Sequence, residues 1–418
     1  MDKIVVEGGR RLSGEIEISG AKNSALPAMA ASLLARGKSI IRNMPKLKDI
    51  TTFIKLLEHL GAKVRWIERN AIEIDTASVN CYEAPYDLVR TMRASVLVLG
   101  PLLSKYGKAK ISLPGGCAIG ARPVNFHIRG MEQLGAYITL ENGYIDAEAN
   151  ELKGCRITFD SVTVTGTANL LMACVLANGD TVIENAAKEP EIVDLCSILR
   201  KMGVGLSGEG TEKIEIKGSS KLEPFEWNVI PDRIETGTFI ISAAITGGKL
   251  LIKNCIPSHS TTVIDKLRET GVEINEGDDF LEVKGNSDIT SADIKTSPYP
   301  GFATDMQAQF MALMSVSAGA SVISETVFEN RYMHVAELIR MGADIKIDGH
   351  TAVVKGVKKL NGAPVMATDL RASASLILAG LVAEGETVIS RVYHIDRGYE
   401  NIEEKLSKTG ASIRRIYS

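Results

Sequence analysis

A short phrase recurs six times along the chain, and nothing else in the sequence restricts the fold as strongly. It reads an apolar residue or Thr, then Gly, then Ala or Val, one spacer and an aliphatic. The first three copies are Leu60-Gly61-Ala62-Lys63-Val64, Leu134-Gly135-Ala136-Tyr137-Ile138 and Met202-Gly203-Val204-Gly205-Leu206. The last three are Thr270-Gly271-Val272-Glu273-Ile274, Met341-Gly342-Ala343-Asp344-Ile345 and Thr409-Gly410-Ala411-Ser412-Ile413. Their glycines lie 74, 68, 68, 71 and 68 residues apart, so six similar units fill the 418 residues. Each phrase reads as a helix ending at a glycine that can take positive φ, followed by a strand.

A second phrase recurs out of phase with the first. A small-residue helix ends at Gly and runs into a β-rich segment, as in Ala177-Asn178-Gly179-Asp180-Thr181-Val182-Ile183 and Ala383-Glu384-Gly385-Glu386-Thr387-Val388-Ile389. The expected class is therefore α/β, with six helix-strand-helix-strand-strand units. The last two strands are often a hairpin, with Asp348-Gly349 marking one turn. Such units are too long and too strand-rich for the common helical solenoids. They form either one ring or two groups of three. Crossings between two groups are expected near Ala21-Lys22 and within 224–232, where Pro, Trp and Asn break the pattern. That gives one domain of residues 22–229 and another of residues 1–21 with 230–418. A first strand over residues 3–18 would then pair with the C-terminal half and bring the termini together.

Composition removes several functions. With 48 basic and 51 acidic side chains the net charge is −3, against the basic surplus of a duplex binder. Aromatics at 5% give little for base stacking. Met1 to Glu7 carries an acid where a signal peptide is basic and then apolar. Helical stretches are broken before the ~20 apolar residues that span a bilayer. A cytoplasmic protein is the expectation. Six cysteines without a Cys-x-x-Cys pair read as free thiols, and the six histidines show no metal-ligand spacing, so no metal site is expected.

The chemistry concentrates where each unit's first helix begins. These starts include Ser19-Gly20-Ala21-Lys22-Asn23-Ser24, Arg90-Thr91-Met92-Arg93-Ala94-Ser95, Thr304-Asp305-Met306-Gln307 and Thr368-Asp369-Leu370-Arg371-Ala372-Ser373. The remainder of each helix is small and apolar, as a buried helix would be. For any one helix, capping by Ser, Thr or Asp is the plainer reading. Capping leaves Lys22, Arg93 and Arg371 unexplained, because a cation at a helix start opposes the dipole. An anion held there, phosphate above all, removes the conflict. The stretch Leu113-Pro114-Gly115-Gly116-Cys117-Ala118-Ile119-Gly120-Ala121-Arg122-Pro123 surrounds one thiol with three glycines and a following Arg. A Cys beside cations is reactive, and a flexible loop with an incidental thiol fits the spacing equally well. Arg331 and Arg397 sit outside any solvated-helix pattern, although a surface ion pair is the plainer account of a lone Arg.

Taken together, these stretches resemble the UDP-N-acetylglucosamine 1-carboxyvinyltransferases, a family of enolpyruvyl transferases. The resemblance covers essentially the whole chain. Its specific pieces are Ser19 to Asn23, Leu113 to Pro123, Glu189 to Asp194, Pro231 to Phe239, Pro300 to Gln309, Glu325 to Arg331 and Thr368 to Ser373. It implies two domains of three-fold pseudo-symmetry, of the inside-out α/β barrel type. It implies transfer of the enolpyruvyl group of phosphoenolpyruvate to the 3-hydroxyl of UDP-N-acetylglucosamine, by addition and elimination. Both would be small-molecule substrates, with no cofactor, nucleic acid or membrane involved, and the epoxide fosfomycin would inhibit.

The resemblance also assigns residues. Lys22 and Arg122 would hold the phosphate, and Asn23 would face the reacting centre. Arg331, Arg371 and Arg397 would hold the carboxylate or the closed state. Cys117 would donate the proton to the methylene carbon and bond covalently to phosphoenolpyruvate. Asp305 would be the general base, with Asp369 a weaker candidate for proton shuttling. UDP-sugar contacts would fall on Arg93, Arg122, Pro123, Val124, Asn125, Phe126, Ser161, Val162, Thr163, Val164, Asp305 and Val327. Asn125 stands where the family usually has an acid, and Ser161 where a Lys is common. The rivals are the sister enolpyruvyl transferase acting on a shikimate phosphate, and a six-unit ring clamp around DNA.

Overall fold

Every unit of the repeat folds around one helix that is apolar on all sides and one that is apolar on a single stripe. The computed structural model describes residues 2–90, 92–113 and 124–417. The Ala372–Val382 helix shows the first kind, with every residue but the last buried. The Lys48–His59 helix shows the second, burying Ile50, Phe53, Leu56 and Leu57 and leaving its polar face out. A helix without a polar face belongs inside, so the strands form the outer layer.

The described strands make six four-stranded sheets. In one of them Ile294–Lys295 lies parallel to Ala320–Ser324, which runs antiparallel to Thr351–Lys355, itself paired with Asp344–Asp348. Between these come the Thr304–Met306 turn, the buried Gln307–Met314 helix and the striped Val335–Arg340 helix. Each sheet thus has one strand more than the sequence reading allowed. In five of the six the addition is an edge strand of two or three residues, such as Glu83–Ala84, Arg156–Thr158 and Glu226–Asn228, and in the sixth it is Ser13–Glu17. Two or three residues hold no readable alternation, so these strands carry no periodic signal.

The six repeat glycines behave as their spacing requires. Gly61, Gly135, Gly203, Gly271, Gly342 and Gly410 all have φ between 91° and 106°. In the hairpin at Gly349, Asp348 still pairs with Thr351, so the two-residue turn is Gly349-His350 rather than Asp348-Gly349. Residues 3–18 form two strands, not one. Lys3–Glu7 lies between Glu386–Ser390 and Ser412–Ile416, and Ser13–Glu17 pairs with Lys249–Lys253 in a different sheet. The break is at Gly8, where an added Cβ would stand 2.2 Å from the Ala383 carbonyl oxygen.

The described residues form two compact units, one of 2–19 with 231–417 and the other of 20–113 and 124–230. Their apolar cores share no residue. At the centre of the first, the helices Arg233–Thr246, Gln307–Met314 and Ala372–Val382 pack on one another. In the second, Leu99–Tyr106 packs on Val164–Cys174, and both Lys22–Ala31 and Val164–Cys174 touch the 3-10 turn Arg93–Val98. The starts of these inner helices carry the polar residues that the sequence singled out.

Candidate active site

In the unit completed by the C-terminus, helix starts bring acids and guanidinium groups together. Asp305 lies in the 3-10 turn that leads into Gln307–Met314. Its Oδ1 accepts from Arg331 Nη2 at 2.6 Å, and its Oδ2 stands 3.7 Å from Arg371 Nε. Arg331 is 4% exposed, which rules out the surface-pair reading. Burial works against its charge, but Asp305, Asp369 and Glu325 outweigh that and hold its pKa above the ordinary value.

Arg371 is deeper, at 1% exposure. It donates from Nη2 to Asp232 Oδ2 at 3.0 Å and from Nη1 to the Gly398 carbonyl at 2.9 Å, and it lies over the Tyr399 ring. Its Nε has no hydrogen-bond partner among the described residues. Burial opposes its charge too, but Asp232, Tyr399 and Asp305 together raise its pKa. Asp232 works twice, since its Oδ1 also caps the Arg233–Thr246 helix through the amides of Ile234 and Glu235. Asp369 Oδ1 accepts the amides of Arg371 and Ala372, closing the start of the next inner helix. Arg397 ends the Val392–Arg397 turn, one residue before the Gly398 carbonyl that Arg371 holds. His394 is pushed down by burial first, then by Arg397, while Asp369 pulls the other way. Val327 is partly exposed, and its amide is tied to Glu325. One region of this unit therefore gathers Asp305, Arg331, Asp369 and Arg371, with Arg397 at its margin.

The other unit holds the remaining described candidates. Lys22 opens the Lys22–Ala31 helix and pairs with Asp49 at 3.2 Å, both nearly buried. Asn23 follows it and is half-buried. Ser24, one residue on, donates to Asp194, which also accepts from Trp227 Nε1 at 2.9 Å. Burial pushes Asp194 up to about 6 despite those hydrogen bonds. Arg93 opens its 3-10 turn near the buried His127, which burial, and then Arg93, push down to about 3. Val124 sits at the residue before the Asn125–Gln133 helix and gives it no side-chain cap. Phe126 meets Phe159 edge to face at 6.3 Å, which sets this helix start against the segment leading to Ser161. Ser161 and Asn125 are exposed, and Val162 and Val164 half-buried. Thr163 caps the Val164–Cys174 helix by accepting the Gly166 amide. Cys117, Arg122 and Pro123 lie outside the described residues.

Two of the three cations that opposed the helix dipole have internal acids: Asp49 for Lys22, and Asp232 and Asp305 for Arg371. Sequence reasoning missed these partners. Asp49 sits in the first turn of an amphipathic helix, where an acid already has a reason to be. Asp232 carried a readable cap signal, Asp232-Arg233-Ile234-Glu235, but nothing local pointed to Arg371. The thiols of Cys174, Cys196 and Cys255 are pushed up to about 12, chiefly by burial, as suits core fillers. Among the described residues no group of His, Cys, Asp or Glu is arranged to hold a metal ion.

Comparison with known proteins gives a consistent picture. The family model described as EPSP synthase (3-phosphoshikimate 1-carboxyvinyltransferase) matches residues 6–406. A UDP-N-acetylglucosamine 1-carboxyvinyltransferase of Geobacter metallireducens is 59% identical over 416 residues, covering 100% of both chains. Its counterpart in Desulfosudis oleivorans is 58% identical, again over 100% of both. The crystal structure of the enolpyruvyl transferase NikO from Streptomyces tendae matches with a TM-score of 0.89 at 25% identity, covering 100% of this chain and 99% of that one. The EPSP synthase of Acinetobacter baumannii matches with a TM-score of 0.77 at 17% identity over 100% of both chains, a likeness of fold alone. The six-unit α/β architecture is thus that of enolpyruvyl transferases.

Proposed function

We infer the reaction from membership, since this chain belongs to the UDP-N-acetylglucosamine 1-carboxyvinyltransferases of the enolpyruvyl transferase family. It transfers the enolpyruvyl group of phosphoenolpyruvate to the 3-hydroxyl of UDP-N-acetylglucosamine and releases phosphate, the first committed step of peptidoglycan synthesis. The observation that carries this is 59% identity across the whole chain with a relative of that name. The EPSP synthase structure, at 17%, shares only the fold, so the shikimate phosphate acceptor is set aside, as is the DNA clamp.

The sugar hydroxyl oxygen bonds to C2 of phosphoenolpyruvate while its proton passes to Asp305. C3 gains a proton from Cys117, which gives a tetrahedral intermediate. The C2–O bond to phosphate then breaks, Lys22 and Arg122 take up the phosphate charge, the Cys117 thiolate takes a proton back from the new methyl group to restore the double bond, and the proton held on Asp305 leaves with the phosphate. Arg331, Arg371 and Arg397 hold the substrate carboxylate as charge-assisted donors. A buried Arg371 whose Nε has no hydrogen-bond partner among the described residues supports that role. Asp305 shares Arg331 and Arg371 at present, so an arriving carboxylate competes with Asp305 for its own cations. Asn23 and Asp369 flank the reacting atoms. Arg93, Val124, Asn125, Phe126, Ser161 to Val164 and Val327 receive the sugar nucleotide. No resident cofactor is called for, and a covalent phosphoenolpyruvate adduct on Cys117 belongs to the same proposal. No helix among the described residues is long and apolar enough to cross a membrane, and a cytoplasmic location is part of the reading.

The test is phosphate release from phosphoenolpyruvate with each acceptor in turn. Release is expected with UDP-N-acetylglucosamine and not with 3-phosphoshikimate. The reverse pattern would overturn the assignment.

A further inference from the structure

Glu325 is 1% exposed and lies outside the roles assigned so far. It follows the Ala320–Ser324 strand directly. Its carboxylate accepts four hydrogen bonds from three separate stretches of chain. Oε2 accepts from Thr304 Oγ1 at 2.8 Å, and Thr304 is the residue before Asp305. Oε1 accepts from the amides of Val327 at 2.8 Å and Phe328 at 3.1 Å, in the loop that leads to Arg331. Oε1 also accepts from Thr296 Oγ1 at 2.9 Å, just after the edge strand. Thr296 in turn accepts the Thr326 amide at 2.9 Å on the same hydroxyl, and its carbonyl accepts from the Thr326 side chain.

One carboxylate thus joins the turn that carries Asp305 to the loop that carries Arg331. The two segments also meet in the 2.6 Å pair between the functional groups themselves. A pair that must open to admit substrate cannot also fix the distance between its own backbones. A buried carboxylate that accepts four hydrogen bonds can do so, because each lost bond leaves a wholly or partly buried donor without its acceptor. We propose that Glu325 is the positioning residue that holds Asp305 and Arg331 in register, so that the base keeps its place when Arg331 turns to the substrate carboxylate. The proposal rests on the functional reading above for the roles of Asp305 and Arg331.

Three variants test it. Glu325→Gln keeps one acceptor oxygen for the two amides and turns its NH2 toward Thr304, whose hydroxyl can accept instead. Glu325→Ala removes all four bonds. Thr304→Val removes the link to the Asp305 turn alone and serves if Glu325→Ala does not fold. Misplacement of a reacting group by about 1 Å costs roughly 10²-fold in rate. Glu325→Ala is therefore expected to lower kcat by about 10- to 100-fold, with Glu325→Gln restoring most of the rate, whereas Thr304→Val, which leaves the Val327 amide tied, is expected to lower kcat with the Kd for UDP-N-acetylglucosamine alone changing much less. In an Asp305→Asn background the same Ala substitution should cost little more, because the two losses share one route. Additive losses, or an unchanged kcat in Glu325→Ala or Thr304→Val, would overturn the proposal.

Hydrogen exchange provides a readout that does not depend on the reaction. Thr304→Val should speed exchange in the 305–309 segment, and Glu325→Ala should also loosen the Val327 and Phe328 amides. Exchange unchanged in both segments would overturn the anchor, whereas wild-type enzyme that releases no phosphate would overturn only the assigned reaction.

Discussion

Asp305 is asked to take a proton while two guanidinium groups already claim its oxygens. This makes its replacement informative. Asp305→Ala should lower kcat by about 10²-fold or more through loss of acid–base help. UDP-N-acetylglucosamine affinity should change far less. Phosphoenolpyruvate should bind at least as tightly as to the wild type, because Arg331 loses its internal competitor. Titration calorimetry with each substrate, beside steady-state kinetics, checks all three. Weaker phosphoenolpyruvate binding would mean that Asp305 helps to hold that substrate. At this scale the sequence exposed the cations, since an Arg or Lys at a helix start contradicts the dipole. It concealed their acids, because Asp49 and Asp232 lie 27 and 139 residues from Lys22 and Arg371, and it concealed Glu325 in the same way, 21 residues from Thr304.

Among the elements, the inner helices tolerate the least change. The Leu99–Tyr106 helix passes the Val164–Cys174 helix at Gly100, where an added Cβ would stand 2.2 Å from the Asn169 carbonyl oxygen. The Gly100 amide donates to Asn169 Oδ1 at 2.6 Å, and Asn169 Nδ2 donates to the Val96 carbonyl at 2.9 Å. Gly100→Ala should push these helices apart and cost about 1–3 kcal/mol as overpacking, read from the urea midpoint at an unchanged m-value. The repeat also contains a device that the sequence displayed and that went unread. Asn43, Asn185 and Asn254 each follow a central strand with φ near 54°. Each side chain donates to a backbone carbonyl beyond the neighbouring edge strand, at Val229, Phe159 and Ile18. The signal was an Ile, one residue and then Asn at the same place in three units. Arg391 takes the same left-handed conformation in a fourth, so the backbone turn is retained where the amide is not.

Across the whole molecule, each of the two compact units buries one histidine in neutral form. His127 is held near 3 by burial and then Arg93, and its Nδ1 faces Asn169 Nδ2 at 2.9 Å, a donor that only an unprotonated nitrogen can accept. His334 is held near 4 by burial first and Arg331 further, against the pull of Asp369. A folded pKa below the unfolded 6.5 means that the unfolded chain binds the proton first. The stability each imidazole contributes is therefore full above 6.5 and is lost as pH falls toward its folded pKa, by at most about 1.4 kcal/mol per pH unit. Asp194 and Glu235, both raised by burial, run the other way, favouring the fold at low pH and losing that contribution as pH rises. The pH dependence of the intact chain should therefore be shallow. The difference between wild type and His127→Gln should instead grow against the wild type from pH 6.5 downward. Denaturant unfolding at pH 7.5, 6 and 5 measures this, and a difference independent of pH would mean that His127 is not held neutral.

The six units, the glycines that end their outer helices, the apolar inner helices and the cations at their starts all follow from the sequence. Each is a local pattern within a few turns or strands, and the periodicity repeats it often enough to be read. Only the tertiary structure decided that residues 3–18 divide between two sheets. It alone supplied the short edge strands, matched each buried cation to its acid, and made Glu325 the junction of three segments. Those are pairings between residues far apart in the chain, and their energy comes from burying charge and hydrogen-bonding groups together, which no local propensity records.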